Sequence, residues 1–367
     1  MNATMRRVAI ASAVVSMAVS LAACGSAKEA DNDKSDQKKK TGPLTIGLLL
    51  PEDQTARYEN FDRPLITKKI KALCAECKVV YVNAKSDTAL QQQQVDSMIT
   101  KKVDAIILDA VDSEAIASSV KKADEADIPV VAYDRLAQGP ISGYTSFDNE
   151  KVGKVQGEAL LKALGNKAKD GKVVMLNGWE ADPNAAMFKK GALSVLKGKV
   201  DIGKQYDVDR WLADKANEAM NGAISSLGKN NIVGVYSAND TMAGGAITAL
   251  RSGGVDPLPP VTGQDAELAG VQRILAGTQY MSVYKPYEPE ATAAAEMAIA
   301  LGRGEKPNES NTVDSPTTKG IPATLITPVS LTKDNIKETV IKDGLYKASQ
   351  ICTAKYKAAC EEAGLLK

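Results

Sequence analysis

From residue 43 onward, short apolar runs alternate with helical patterns, and that alternation leaves few folds open. The run Leu44-Thr45-Ile46-Gly47-Leu48-Leu49-Leu50 reads as a buried strand, residues 64–73 as a helix and Val79-Val80-Tyr81-Val82 as the next strand. Asp87 is placed to cap a helix over 88–101, whose Leu90, Gln94, Val95, Met98 and Ile99 form one partly apolar face. Strand 105–108 ends in Asp109, Ser113 is expected to cap the following helix, and 129–133 is the strand after that. Near-continuous apolar, β-branched runs separated by helices predict parallel strands covered on both faces.

The same grammar restarts later. Strands are expected at 173–176, 232–236, around 260–262 and at 281–284, with helices over 184–196, 211–227, 240–251 and 268–276. In the first half a strand ends at Asp109, a helix follows, and a strand preceded by proline ends at Asp134; in the second, a strand ends at Asn239, a helix follows, and a strand preceded by proline leads to Asp265. The α/β pattern is that of an architectural duplication, two doubly wound lobes. Open parallel sheets collect ligands outside the carboxyl ends of their strands, where Asp109, Asp134, Asn239 and Asp265 all sit. The competing role for such residues is capping the next helix, which suits Asp109 and Asp240. It suits Asp134 poorly, because Arg135 and Leu136 run into the turn Gln138-Gly139-Pro140.

Composition narrows the function classes. The chain has 367 residues, 46 basic and 45 acidic side chains and no histidine. A net charge of +1 lacks the basic excess that drives nucleic-acid binding, so no nucleic-acid partner is expected. Without imidazole there is no Ser-His-Asp or Cys-His dyad and no histidine-ligated metal. Asp207-Val208-Asp209 starts like a calcium loop, but Leu212 stands where the turn glycine belongs, so no metal site and no cofactor are expected.

The first 24 residues carry Arg6 and Arg7, an apolar stretch over 8–19 and then Leu21-Ala22-Ala23-Cys24, a signal-peptide layout too short and too often broken by serine for a membrane span. The tetrad resembles the bacterial lipobox, which implies cleavage after residue 23 and lipid on Cys24, anchoring the chain outside the cytoplasm on the cell membrane. Residues 26–41 are polar and charged in both signs, without one large apolar side chain, and read as a solvated tether; Lys38, Lys39 and Lys40 offer a membrane-surface patch as the alternative. The remaining cysteines fall into two close pairs, Cys74/Cys77 and Cys352/Cys360, which in that compartment suggest two disulfides. A redox role for Cys74-x-x-Cys77 is disfavoured, because the motif ends a helix where reactive pairs begin one. Cys352 and Cys360 lie about two helical turns apart, too far for a bridge in a straight helix, so bonding them requires a hairpin or a break.

Five strings in order, AYDR (132–135), SFDNEKVG (146–153), SANDTMAGGAI (237–247), TGQDAELAG (262–270) and VYKP (283–286), resemble the pentose- and hexose-binding proteins of ABC importers, most strongly their D-xylose-binding branch. The likeness runs from about residue 44 to residue 346. It implies a type I periplasmic binding protein: two Rossmann-like lobes joined by a three-stranded hinge and closing on one sugar. Crossovers are expected near 144–149, 281–284 and 323–327. The implied division is signal 1–23, tether 24–42, first lobe 43–146 plus 284–324, second lobe 147–283 plus 325–348 and an extension over 349–367. Carried over position by position, the sugar contacts are Arg57, Tyr58, Asp134 and Arg135 from the first lobe, then Asp182, Asn184, Trp211, Asn239 and Asp265 from the second, with Lys285 beside a crossover.

The chemistry of those residues agrees with the resemblance. Carboxylates accept from hydroxyls, arginine and lysine donate to them, asparagine does both, and an indole or phenol covers the C–H face of a pyranose. Of two tryptophans, Trp211 in a polar segment is the stronger candidate and Trp179 the weaker. The resemblance implies a monomer that delivers D-xylose to a membrane permease and its ATPase, with no catalysis. Ribose, arabinose, glucose and galactose remain alternatives, as does delivery to a chemoreceptor or sensor kinase. Glycoside hydrolysis by Asp134 and Asp265 is the rival from another class. A sugar-responsive repressor would carry a helix-turn-helix where this chain has a signal and tether.

Overall fold

The computed structural model describes residues 39–366; the signal peptide, Cys24 and the tether up to residue 38 lie outside the described residues. Strand β1 (Thr45–Leu50) is buried almost throughout, as its apolar run requires. Helix α1 (Arg63–Leu73) follows, then β2 (Lys78–Asn83), α2 (Thr88–Thr100), β3 (Ala105–Leu108), α3 (Ala117–Glu125), β4 (Val130–Tyr133) and β5 (Gly143–Phe147). Asp87 caps α2 as expected, accepting the Leu90 N–H at 2.8 Å. Ser113 caps nothing. Its hydroxyl is buried without a partner among the described residues, while Asp112 accepts the amides of Glu114 and Ala115 and α3 starts only at Ala117.

The chain continues with α4 (Asn149–Leu164), β6 (Lys172–Asn177), α5 (Pro183–Leu196), β7 (Asp201–Asp207), α6 (Ala213–Leu227), β8 (Ile232–Ser237), α7 (Asp240–Ser252), α8 (Leu268–Leu275) and β9 (Ser282–Tyr284). Helices α4 and α5 pack closely because Gly153 and Gly191 face the opposing backbone: a Cβ at Gly153 would lie 1.9 Å from the Phe188 carbonyl oxygen. Last come α9 (Tyr287–Gly302), β10 (Asn311–Val313), β11 (Ile321–Ile326), β12 (Val329–Leu331), α10 (Ala348–Ile351) and α11 (Lys357–Glu362). Helix α9 is buried around most of its circumference, and its alanines let it lie against β3, β4 and β5.

The first sheet has the order β10-β11-β5-β4-β3-β1-β2, parallel except for β10. The second has β7-β6-β8, continued by parallel bridges from Val235 to Val261 and from Gln264 to β9, which pairs antiparallel with β12. Both therefore repeat one doubly wound order, in which the second strand lies outside the first and the third, fourth and fifth follow on the other side. This is the duplicated α/β architecture that the strand pattern predicts. Among the described residues the chain passes between the sheets after β5, after β9 and after β11. The carboxyl ends of β1, β3 and β4 thus face those of β6 and β8 across a cleft.

Both cysteine pairs are bonded. Cys74–Cys77 closes the end of α1, where Cys77 Sγ accepts the Leu44 amide at 3.1 Å. Cys352–Cys360 spans the break between α10 and α11, which brings the two Cα atoms to 5.8 Å in the way a broken helix allows. That tail packs Ile351 and Cys360 against Ile274 and Leu275 of α8.

Candidate functional site

Two aspartates occupy equivalent places, each just past the fourth strand of its sheet in a left-handed backbone conformation that L residues seldom adopt: φ is 56° at Asp134 and 86° at Asp265. Neighbours fix both turns. The Asp134 amide donates to the Thr145 carbonyl at 2.8 Å, and its own carbonyl accepts from Ser146 Oγ at 2.7 Å, Tyr144 Oη at 3.0 Å and Asn184 Nδ2 at 3.1 Å. The Asp265 amide donates to the Val283 carbonyl at 2.9 Å and its carbonyl accepts from Tyr287 Oη at 2.7 Å. Left-handed turns aim both carboxylates into the cleft.

Helix starts supply the next residues. Asp182 caps α5 by accepting the Asn184 amide at 2.9 Å and keeps its other oxygen 2.9 Å from Arg135 Nε. Asn239 caps α7 by accepting the Met242 amide at 2.8 Å. Capping and lining the cleft are compatible for these two. The capping expectation fails for Asp109 and Asp240. Asp109 is fully buried 3.5 Å from Arg135 Nε, and Asp240 accepts from Gln279 Nε2, Ser282 Oγ and the Glu267 amide at 2.6–2.9 Å.

The cations are individually anchored. Arg57 reaches Asp62 at 2.9 Å, Glu290 at 2.9 Å and Asp134 at 3.2 Å, with its guanidinium 4.7 Å from the centre of the Tyr287 ring. Arg135 donates to the Ala110 carbonyl at 3.0 Å and to Tyr58 Oη at 3.2 Å; its Nε is close to Asp182, but the N–H is not aligned on the carboxylate. Lys285 Nζ lies 2.7 Å from Asp265 and above the faces of Phe147 and Phe188. Burial pushes the Asp134 carboxyl up, but Arg57, Lys285 and Arg135 outweigh it and hold the group below its ordinary value. Burial wins at Asp182 and raises it against the opposing pull of Arg135.

All ten residues that the resemblance implies line one cavity. Thr55, Phe188 and Gln264 line it too and went unrecognised. Phe188 sits on a helix face that reads as core, though with only three phenylalanines in the chain its rarity was a usable signal. Trp211 does not begin α6; it stands in the short turn Asp209–Trp211, where left-handed Arg210 and Trp211 swing the indole against Gly178. Its Nε1 and the Oε1 of Gln264 are buried with no partner among the described residues. Trp179 packs against the second-lobe core and does not line the cavity. The wall carries three cations (Arg57, Arg135, Lys285) and three carboxylates (Asp134, Asp182, Asp265), each beside an opposite charge. Such a cavity favours a ligand rich in hydroxyls and poor in net charge.

Comparison with known proteins agrees. The periplasmic binding protein domain matches residues 46–306. The D-xylose-binding periplasmic protein of Escherichia coli (strain K12) is 38% identical over 314 residues, covering 84% of this chain and 92% of that protein. The multiple sugar-binding periplasmic receptor ChvE of Rhizobium radiobacter is 32% identical, again over 84% and 92%. A solved ABC transporter solute-binding protein from Clostridium phytofermentans with bound β-D-glucose superposes with a TM-score of 0.78 at 27% identity, over 84% of this chain and 99% of that one. With its paired doubly wound sheets and hydroxyl-matching cleft, this chain belongs to the periplasmic binding protein family, among the sugar-binding proteins of ABC importers.

Proposed function

We propose that this protein captures D-xylose in the cavity between its lobes and hands it to an importer permease. The observation that carries the reading is the charge-balanced wall with an indole on one side, which matches a neutral pyranose better than an anionic sugar. Hydrogen bonds to charged groups contribute about 1.5–3 kcal/mol each. Five or six of them would support sub-micromolar affinity, for which about −8.2 kcal/mol marks the micromolar point, after ordering costs. Capture works by closure. Asn184 Nδ2 donates across the cleft to the Asp134 carbonyl and Asp182 meets Arg135, so a sugar held by both lobes stabilises the closed arrangement. Glycoside hydrolysis by Asp134 and Asp265 is less well supported, since it needs a carboxylic acid poised to donate. Asp134 is held below its ordinary value, and Asp265 lies 2.7 Å from an ammonium.

Relatives named for xylose, xylitol and multiple sugars share this framework, so the hydroxyl pattern has to decide the ligand. A thermal-shift screen of neutral aldoses tests it, because stabilisation follows RT ln(1 + [L]/Kd). D-Xylose is expected to give the largest shift; a larger shift with a hexose, or with a sugar phosphate, contradicts the assignment.

The proposal includes lipid on Cys24. Lys40, the second of the described residues, is fixed to Asp104 and Arg303 at the end of β1 remote from the cavity, so the described chain begins away from the cleft. Cys24→Ser should move the protein from pelleted membranes to the soluble fraction; continued sedimentation with membranes argues against lipidation at that residue.

A further inference from the structure

Tyr287 touches both halves of the sugar site without lining its cavity. It opens α9 two residues after Lys285, where the chain returns from the second sheet to the first, and it is buried. Its hydroxyl donates to the Asp265 carbonyl at 2.7 Å in the second lobe. Its ring lies under the Arg57 guanidinium of the first lobe at 4.7 Å and stacks on Phe61 at 5.5 Å.

The two aspartate turns make this contact informative. At Asp134 three side chains donate to the left-handed carbonyl, whereas at Asp265 the Tyr287 hydroxyl is the side-chain donor found among the described residues. Asp265 is also the more demanding turn, because Ala266 follows it with a second positive φ of 48°. The peptide plane that carries the Asp265 carbonyl has two side-chain fastenings, the Tyr287 phenol on the oxygen at 2.7 Å and Ser282 Oγ on the Ala266 N–H at 3.1 Å, so removing the phenol leaves that plane held on one side only. A tilt of that plane would shift the carboxylate relative to Lys285 and the cavity wall.

We propose that Tyr287 is a positioning residue for sugar capture: its hydroxyl locks the Asp265 turn of the second lobe, and its ring braces Arg57 of the first. The inference rests on reading the cavity as the sugar site. Tyr287→Phe keeps the ring and removes the donor. Calorimetric titration with D-xylose is expected to show about tenfold weaker binding, mostly as faster release in stopped-flow. Hydrogen exchange should quicken in the peptide spanning 263–268 and nowhere else. In an Asp265→Ala background, where no carboxylate is left to position, the same change should alter affinity by less than about twofold.

Unchanged affinity in Tyr287→Phe would overturn the proposal, and so would an equal tenfold loss in both backgrounds. Should Tyr287→Phe not fold, Tyr287→Leu is a second variant without a donor; it also removes the ring under Arg57, so the same faster exchange in 263–268 is required, together with an affinity loss that is smaller, but not abolished, in the Asp265→Ala background. If the wild type binds no aldose at all, the sugar reading fails, while the exchange measurement still decides whether Tyr287 holds the turn.

Discussion

Replacing both cleft aspartates, Asp134→Ala with Asp265→Ala, is expected to weaken sugar binding at least about 100-fold in calorimetric titration while leaving the circular dichroism of a folded α/β protein. Each carboxylate can accept from sugar hydroxyls, and charged hydrogen bonds are worth about 1.5–3 kcal/mol apiece, so losing one at each site removes about 3–6 kcal/mol. At 1.4 kcal/mol per decade that is roughly 100-fold to 10,000-fold. The lobes should survive, because Arg57 keeps Asp62 and Glu290 and the second-lobe core does not run through Asp265. Affinity close to that of the wild type would mean that the sugar is held elsewhere.

The second large effect comes from one methyl group. Gly178 lies so close to the indole that a Cβ there would stand 1.9 Å from Trp211 Cη2 and 2.3 Å from Cζ2. Trp211 has little freedom to yield, being held in a left-handed turn and edge-on to Phe188 at 6.3 Å. Gly178→Ala should therefore push the ring into the cavity or away from it. Overpacking of this kind costs about 1–3 kcal/mol, and with the stacking surface displaced we expect about 10-fold to 100-fold weaker sugar binding. Because Trp211 is one of two tryptophans, the emission change on sugar addition should shrink with it. An unaltered affinity and emission response would remove Trp211 from the binding wall.

The parallel strands were legible because burial on both faces leaves nearly uninterrupted apolar runs, and from them followed the strand ends where Asp134, Asn239 and Asp265 sit. Strand β7 was not legible. It is an edge strand of the second sheet, and Gly203-Lys204-Gln205 within it shows neither an apolar run nor strict alternation. Capping was misjudged at Ser113 because the neighbouring Asp112 takes the amides of Glu114 and Ala115, and at Asp109 and Asp240 for a different reason. Cap propensity is local, whereas these residues answer to distant partners: Arg135 for Asp109, and Gln279 and Ser282 for Asp240. Asp134, Asn239 and Asp265 followed from the strand ends as well as from the resemblance, the other seven site residues from the resemblance, and Thr55, Phe188 and Gln264 escaped because no local pattern separates a cavity-facing side chain from a core one. The Cys352–Cys360 bridge shows the opposite case, where helix geometry alone required a break that the tail contains.

The most direct measurement is calorimetric titration of the wild-type protein with D-xylose, beside ribose, arabinose, glucose and galactose. Capture of one sugar between charge-balanced lobes predicts one site per chain, micromolar or tighter affinity for D-xylose and weaker binding of the other four. No heat with any aldose, or binding that ignores which hydroxyls the sugar carries, would contradict it.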